Sequence, residues 1–162
     1  MALPSFCAPP DPRPHLAALG VLSVAAGRDG RDAIRETWMA GHRDGPSGIV
    51  PRFVLRGLGA DAETWAESAA HGDMVLLEAN ASLNRVAGPL TSLLGWFECA
   101  LVAWPNATLL GRSEADVWLH LPGLAARLRL DLASLRRSVA RDDGPLTMYW
   151  GGERARSLMP LA

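Results

Sequence analysis

The stretch Thr108-Leu-Leu-Gly-Arg-Ser-Glu-Ala-Asp-Val-Trp118 decides how the chain is read. A short apolar run, Thr108 to Leu110, is followed by two acids one residue apart, Glu114 and Asp116, and apolar residues then resume. The run predicts a buried strand with the acids emerging at its C-terminal end. In open α/β sheets, ligands bind outside that end of the strands. Two carboxylates in E-x-D spacing suit a hard divalent cation, which takes oxygen ligands and keeps positions open for phosphate. The same acids also suit a plain solvated turn at a strand end, so both readings stand at this point.

Working outward, the flanking sequence alternates apolar runs with helical patterns. Leu19–Val24, Arg52–Leu55 and Met74–Leu77 read as short buried strands bounded by glycine-rich turns. A helix is expected near Asp32–Ala40, with Ile34 and Trp38 on one face and the arginines facing elsewhere. Asp61 is placed to cap a helix over Ala62–His71 that Gly72 stops. Leu90 to Trp104 is apolar nearly all round, the mark of a helix buried against a sheet. Leu121 to Ala140 reads as helix in two pieces, and Leu146–Trp150 as a last strand. Strands alternating with helices predict an α/β fold with a mainly parallel sheet flanked by helices. Residues 1–14, with five prolines, read as a tail, 15–157 as one domain and 158–162 as a second tail.

Composition narrows the class. The chain has 162 residues, 49% hydrophobic and 20% charged, which is globular. A formal net charge of -1 gives no long-range attraction to nucleic acid or anionic membrane. All 16 basic residues are arginine, which excludes chemistry that depends on lysine. Leu16 to Ala26 is too short to span a bilayer, and neither a basic leader nor a cleavage site flanks it. No membrane segment is therefore expected in this chain. Cys7 lies in the proline-rich leader and Cys99 in an apolar stretch, and two free thiols are expected, with Cys99 buried and inert. Asn80-Ala-Ser and Asn106-Ala-Thr match the N-glycosylation pattern, which permits a secretory setting.

Several stretches, taken in order, resemble the beta-1,3-galactosyltransferase family, with its N-acetylglucosaminyltransferase and Fringe relatives. Arg31-Asp-Ala-Ile-Arg-Glu-Thr-Trp38 is a full match to the family's R-x-x-I-R-x-T-W. Phe53-Val-Leu-Arg-Gly57 is similar to its F-x-L-G strand. Glu67, followed by His71-Gly-Asp-Met74, resembles E-x-x-x-Y-G-D-I. Trp104 to Trp118 aligns without gaps to C-P-x-A-x-Y-x-x-K-x-D-D-D-V-F, and Met148-Tyr-Trp-Gly151 looks like a later Y-x-G strand. The resemblance implies a Rossmann-like GT-A nucleotide-sugar-binding fold, a UDP-sugar donor, a glycan or glycoprotein acceptor, manganese (Mn2+) and a Golgi setting. A divalent cation would stabilise the diphosphate leaving group as a Lewis acid.

Carried over residue by residue, the resemblance makes Asp116 a metal ligand and puts Glu114 near the ribose or the metal. Arg31, Arg35 and Asp73 become candidate donor-binding residues. For the two arginines a second reading stays open: ion pairs that hold the fold, with Asp32 or Glu36 as partners. Trp38 reads as core, His71 as a helix-end residue, and His120 as too uncommitted to count as a ligand. The chain departs from the pattern in Glu114-Ala115-Asp116 for three aspartates and in Arg112 for lysine. The family's later acceptor region, metal-binding His and acidic base motif have no counterpart before Ala162, and Asp142 and Asp143 do not replace them. A GT-A domain lacking its C-terminal half is therefore expected. The function classes carried forward are a hexosyltransferase represented by its donor-binding part, a non-catalytic remnant with at most weak UDP binding, and a ligand-free interaction module.

Overall fold

Four apolar runs pair side by side in a computed structural model, every pair parallel. The structure describes residues 7–42, 45, 47–80, 82–84 and 86–139. The final strand expected at Leu146–Trp150, the motif ending at Gly151, and Asp142 and Asp143 lie outside the described residues. In chain order the elements are β1 His15–Leu22, α1 Arg28–Glu36, β2 Ile49–Leu58, α2 Ala62–His71, β3 Met74–Asn80, α3 Ala87–Ala103, β4 Ala107–Glu114 and α4 Leu121–Val139. The chain divides into one unit of residues 1–121, which holds the sheet, and another of residues 122–162.

The sheet order is β3-β2-β1-β4. The chain walks outward from β1 to β3 and then returns to the far side of β1. With right-handed crossovers this puts α1 and α2 on one face and α3 on the other. Side chains alternate across each strand accordingly. Ala18, Leu22, Val50, Val54, Val75 and Leu77 pack with Trp96, Cys99, Ala100 and Trp104 of the α3 layer. The alternate set includes Phe53, over whose ring the Arg35 guanidinium of α1 lies at 4.9 Å. The α/β class and parallel sheet expected from the sequence are the observed ones.

Local rules account for most boundaries. Asp61 accepts from the Thr64 backbone N–H at 2.8 Å as the N-cap of α2. Gly72 ends that helix in the left-handed conformation, φ 63°, where a side chain would be strained. Pro51 lies within β2 because β3 pairs only from Phe53 onward, so at Pro51 the strand has β1 alone beside it. The first helix begins and ends about a turn earlier than its apolar spacing predicts. It grows directly out of a 3-10 turn at Ala25–Gly27, and Thr37 leaves helical geometry as its hydroxyl donates back to the Ala33 carbonyl at 2.6 Å. In the second unit, α4 runs unbroken where two pieces are expected, because Pro122 falls in its first turn and needs no N–H partner there. Its Ala125, Leu128 and Leu132 are buried, and Arg127 pairs with Asp131 at 2.9 Å.

The two cysteines are not free thiols. Cys7 and Cys99 form a disulfide with Cα atoms 5.6 Å apart. The expectation failed because the proline-rich segment does not behave as a loose tail where it is described. Residues 7–14 hold no helix or strand, but the Asp11 amide donates to the Ala103 carbonyl at 2.7 Å and the Asn106 side chain donates to the Pro12 carbonyl at 2.6 Å. These contacts run the segment along α3 and bring Cys7 to Cys99. No helix among the described residues is long and apolar enough to cross a membrane.

Gly20 is the tightest point of the sheet. A Cβ there would stand 2.6 Å from the fully buried Trp96 ring, whose Nε1 donates to the Gly111 carbonyl at 2.9 Å and so resists displacement. Gly20→Ala is expected to cost about 1–3 kcal/mol by overpacking, read as a drop of several degrees in a thermal melt. An unchanged melt would contradict the packing of Trp96 on β1.

Candidate functional site

Glu114 is the last residue of β4, and the register pairs it with Leu22, the last residue of β1. The sheet order reverses at this seam: the chain leaves β1 toward β2 on one side, while β4 lies on the other. A crevice outside the carboxyl ends of strands at such a reversal is where open α/β sheets bind ligands. The E-x-D pair therefore stands at the switch point of the fold. Both acids are exposed. Arg112, also exposed, donates from Nη1 to Glu114 Oε1. Asp116 makes no ion pair among the described residues. His120 stacks on the exposed Trp118 with ring centroids 6.3 Å apart.

Two exposed carboxylates offer hard oxygens only, which suits a divalent cation that fills its other positions with diphosphate oxygens and water. Asp116 is the less committed of the two, since Glu114 already shares one oxygen with Arg112. Among the described residues no group of three or more His, Cys, Asp or Glu side chains gathers as a closed metal site. The residues present fit a cation shared with a phosphate-bearing ligand and do not form a cage of their own.

The other candidate residues come together elsewhere, between α1 and α2. Arg31 is fully buried and has all five of its N–H donors engaged. Its Nε and Nη2 donate to Glu67 at 2.8 and 2.5 Å, Nη1 to Ser23 Oγ at 3.0 Å and the Val24 carbonyl at 2.5 Å, and Nη2 to the Ala25 carbonyl at 3.2 Å. Arg35 clamps Asp73 with two bonds of 2.9 Å and reaches Asp32 at 2.6 Å and Glu67 at 2.8 Å. Of the two readings open for these arginines, this geometry is that of fold-holding ion pairs. The partners are mostly not the helix neighbours expected, because Arg31 faces inward across to α2. Only Asp32 pairs as sequence spacing suggests, and it pairs with Arg35. Asp73, a candidate donor-binding residue, accepts from Arg35. Glu67 and Ser23 are the members that sequence reasoning left without a role. Glu67 stands within a quoted motif, and that acid, in a chain whose other motif carries two arginines, was the signal available.

The network touches the seam through the turn after β1. Arg31 fixes Ser23, Val24 and Ala25, the residues that directly follow the Glu114 partner Leu22. An open cleft of about 300 Å³ lies at the far end of the same helix pair, lined by Asp32, Arg35, Glu36, Met39 and His71. His71 closes α2, as a helix-end residue should, and Trp38 is buried core.

Charge in the network is self-consistent. Burial pushes the Glu67 carboxyl up, but hydrogen bonds from Arg31 and Arg35 outweigh it and hold the group at about 2 against an ordinary 4.5. Burial opposes the charge on Arg35, and bonds to Asp73, Glu67 and Asp32 more than offset it, raising the guanidinium above its ordinary range. Asp11, near the disulfide, is held below the usual carboxylate range by the hydrogen bond from Arg13. A carboxylate depressed on folding contributes stability that is complete above its unfolded value and lost as pH falls through the folded one. The melting temperature is therefore expected to fall between pH 4.5 and about 2. Glu67→Gln is expected to flatten that fall, as read by melts at stepped pH.

No curated protein matches the chain. A family model described as galactosyltransferase matches residues 29–140, from the start of α1 through the whole of α4 and well over half of the chain. That span includes Arg31-x-x-Ile-Arg-x-Thr-Trp38, Glu67, Asp73 and the E-x-D pair, while β1 and the turn after it precede the match. The chain belongs to the galactosyltransferase family.

Proposed function

We propose that this chain is the donor-binding part of a hexosyltransferase of the beta-1,3-galactosyltransferase type, moving a sugar from a UDP-sugar to a glycan hydroxyl in protein glycosylation. The observation that supports it most is the Leu22–Glu114 pairing, which sets the E-x-D acids at the β1–β4 seam. In this reading Asp116 and Glu114 would hold the manganese ion that the donor diphosphate requires. Bound there, the cation would stabilise the negative charge that accumulates on the diphosphate as the glycosidic bond breaks. Arg112, which donates to Glu114, would lie beside the same ligand. Arg31 supports donor binding indirectly by fixing the turn that follows β1, while Glu67, Arg35 and Asp73 hold Arg31 and its helix in place. The acceptor, a glycan or glycoprotein, and a Golgi setting follow from the family; the disulfide agrees with an oxidising compartment.

A second reading, a remnant that binds UDP weakly without transfer, is favoured by one observation. No third His, Cys, Asp or Glu gathers with the E-x-D pair as a metal site among the described residues, so the pair alone would hold the cation, which suits weak UDP binding. Incubation with UDP-galactose and manganese, with and without glycan acceptors, separates the readings. Released UDP matched by galactosylated acceptor supports the enzyme. Binding of UDP with neither transfer nor hydrolysis supports the remnant.

A further inference from the structure

Two Asn-x-Ser/Thr triplets, at Asn80 and Asn106, are left without a role by the seam site. They are not equivalent in the fold. Asn80 is the last residue of β3 and is exposed at the C-terminal edge of the sheet. Its Oδ1 accepts from both the Ser82 backbone N–H at 2.9 Å and the Ser82 hydroxyl at 2.8 Å. The side-chain oxygen is thus turned to the serine of its own triplet, and Nδ2 has no hydrogen-bond partner among the described residues. Asn106 is the reverse case. Its Nδ2 donates to the Pro12 carbonyl at 2.6 Å and is part of what holds residues 7–14 along α3. The Cys7–Cys99 disulfide is an independent observation about setting. Such a bond persists in the oxidising compartments of the secretory route, where these triplets are modified.

We propose that Asn80 is an N-glycosylation site, taking an oligosaccharide on Nδ2. The donor class is a polyprenyl-diphosphate-linked oligosaccharide. The bond between the anomeric carbon and the diphosphate oxygen breaks, and its electron pair leaves with the diphosphate. A bond forms between that carbon and Nδ2, which gives up one of its two protons. The inference rests on the secretory setting in the proposed function and not on UDP binding. Asn80 lies on β3, which β2 separates from the β1–β4 seam in the sheet order.

The test expresses the full chain behind a secretory leader in a eukaryotic cell and reads intact mass, unreduced, before and after peptide-N-glycosidase. The glycan mass is expected on the parent and on Asn106→Gln, absent from Asn80→Gln in the Asn106→Gln background and from Ser82→Ala in that background, and retained with Ser82→Thr. The Asn106→Gln chain without a glycan, or a glycan surviving Asn80→Gln in that background, overturns the proposal. The same unreduced sample reads the Cys7–Cys99 bond as the loss of two hydrogens. A formed bond beside an unmodified Asn80 overturns the glycan site and leaves the oxidising setting standing. Free thiols with no glycan overturn both.

Discussion

Glu67→Ala is expected to be among the most destabilising single changes in the chain, lowering the unfolding free energy by about 3–5 kcal/mol. The reason is not that a buried ion pair is inherently strong, since desolvation offsets much of its attraction. Removal of Glu67 leaves Arg31 buried with its charge uncompensated and two N–H donors unsatisfied. It also takes one of three acidic partners from Arg35. A domain of this size holds about 5–15 kcal/mol in all, so the variant is expected to unfold at a much lower urea concentration. Arg31→Met combined with Glu67→Leu is expected to recover part of the loss, because the stranded charge is gone. A Glu67→Ala midpoint equal to that of the parent would show that the network does not hold α1 to α2.

Asp116→Asn is the opposite kind of change. The side chain is exposed and unpaired among the described residues, so the melting temperature is expected to stay within error of the parent. Manganese-dependent UDP binding is expected to weaken by about 100-fold or more, since loss of outer-shell partners alone costs about 10–100-fold in metal affinity. Glu114→Gln is expected to cost less, because Glu114 already shares an oxygen with Arg112. Equilibrium binding of UDP at fixed manganese reads both variants, and an equal loss in the two would contradict the ranking.

The sequence carried the fold through its periodicities. Runs of β-strand length, glycine stops and the Asp61 cap are local signals, and α2 appears with the bounds they imply. The E-x-D pair was also legible, since a strand end is a local event, but its place at the seam depends on β4 returning beside β1. What local reading misses is contact over distance. For Arg31 the sequence leaves donor contact and ion pairs with Asp32 or Glu36 both open, and the partner it takes, Glu67, stands 36 residues on. Cys7 sits among prolines that suggest a loose end, and the hydrogen bonds from Asn106 and to Ala103, with Cys7 and Ala8 packed on the core, bring it to Cys99. Helix ends shifted where a 3-10 turn or a threonine back-bond overrode the apolar spacing.

The central claim is that the seam between β1 and β4 binds a nucleotide diphosphate through a cation. It is tested most directly by calorimetric titration of the intact chain with UDP, in manganese and again in excess chelator. The account predicts saturable binding in manganese that disappears in chelator and is lost in Asp116→Asn. Absence of binding at every manganese concentration, or binding that neither the chelator nor Asp116→Asn reduces, would contradict it.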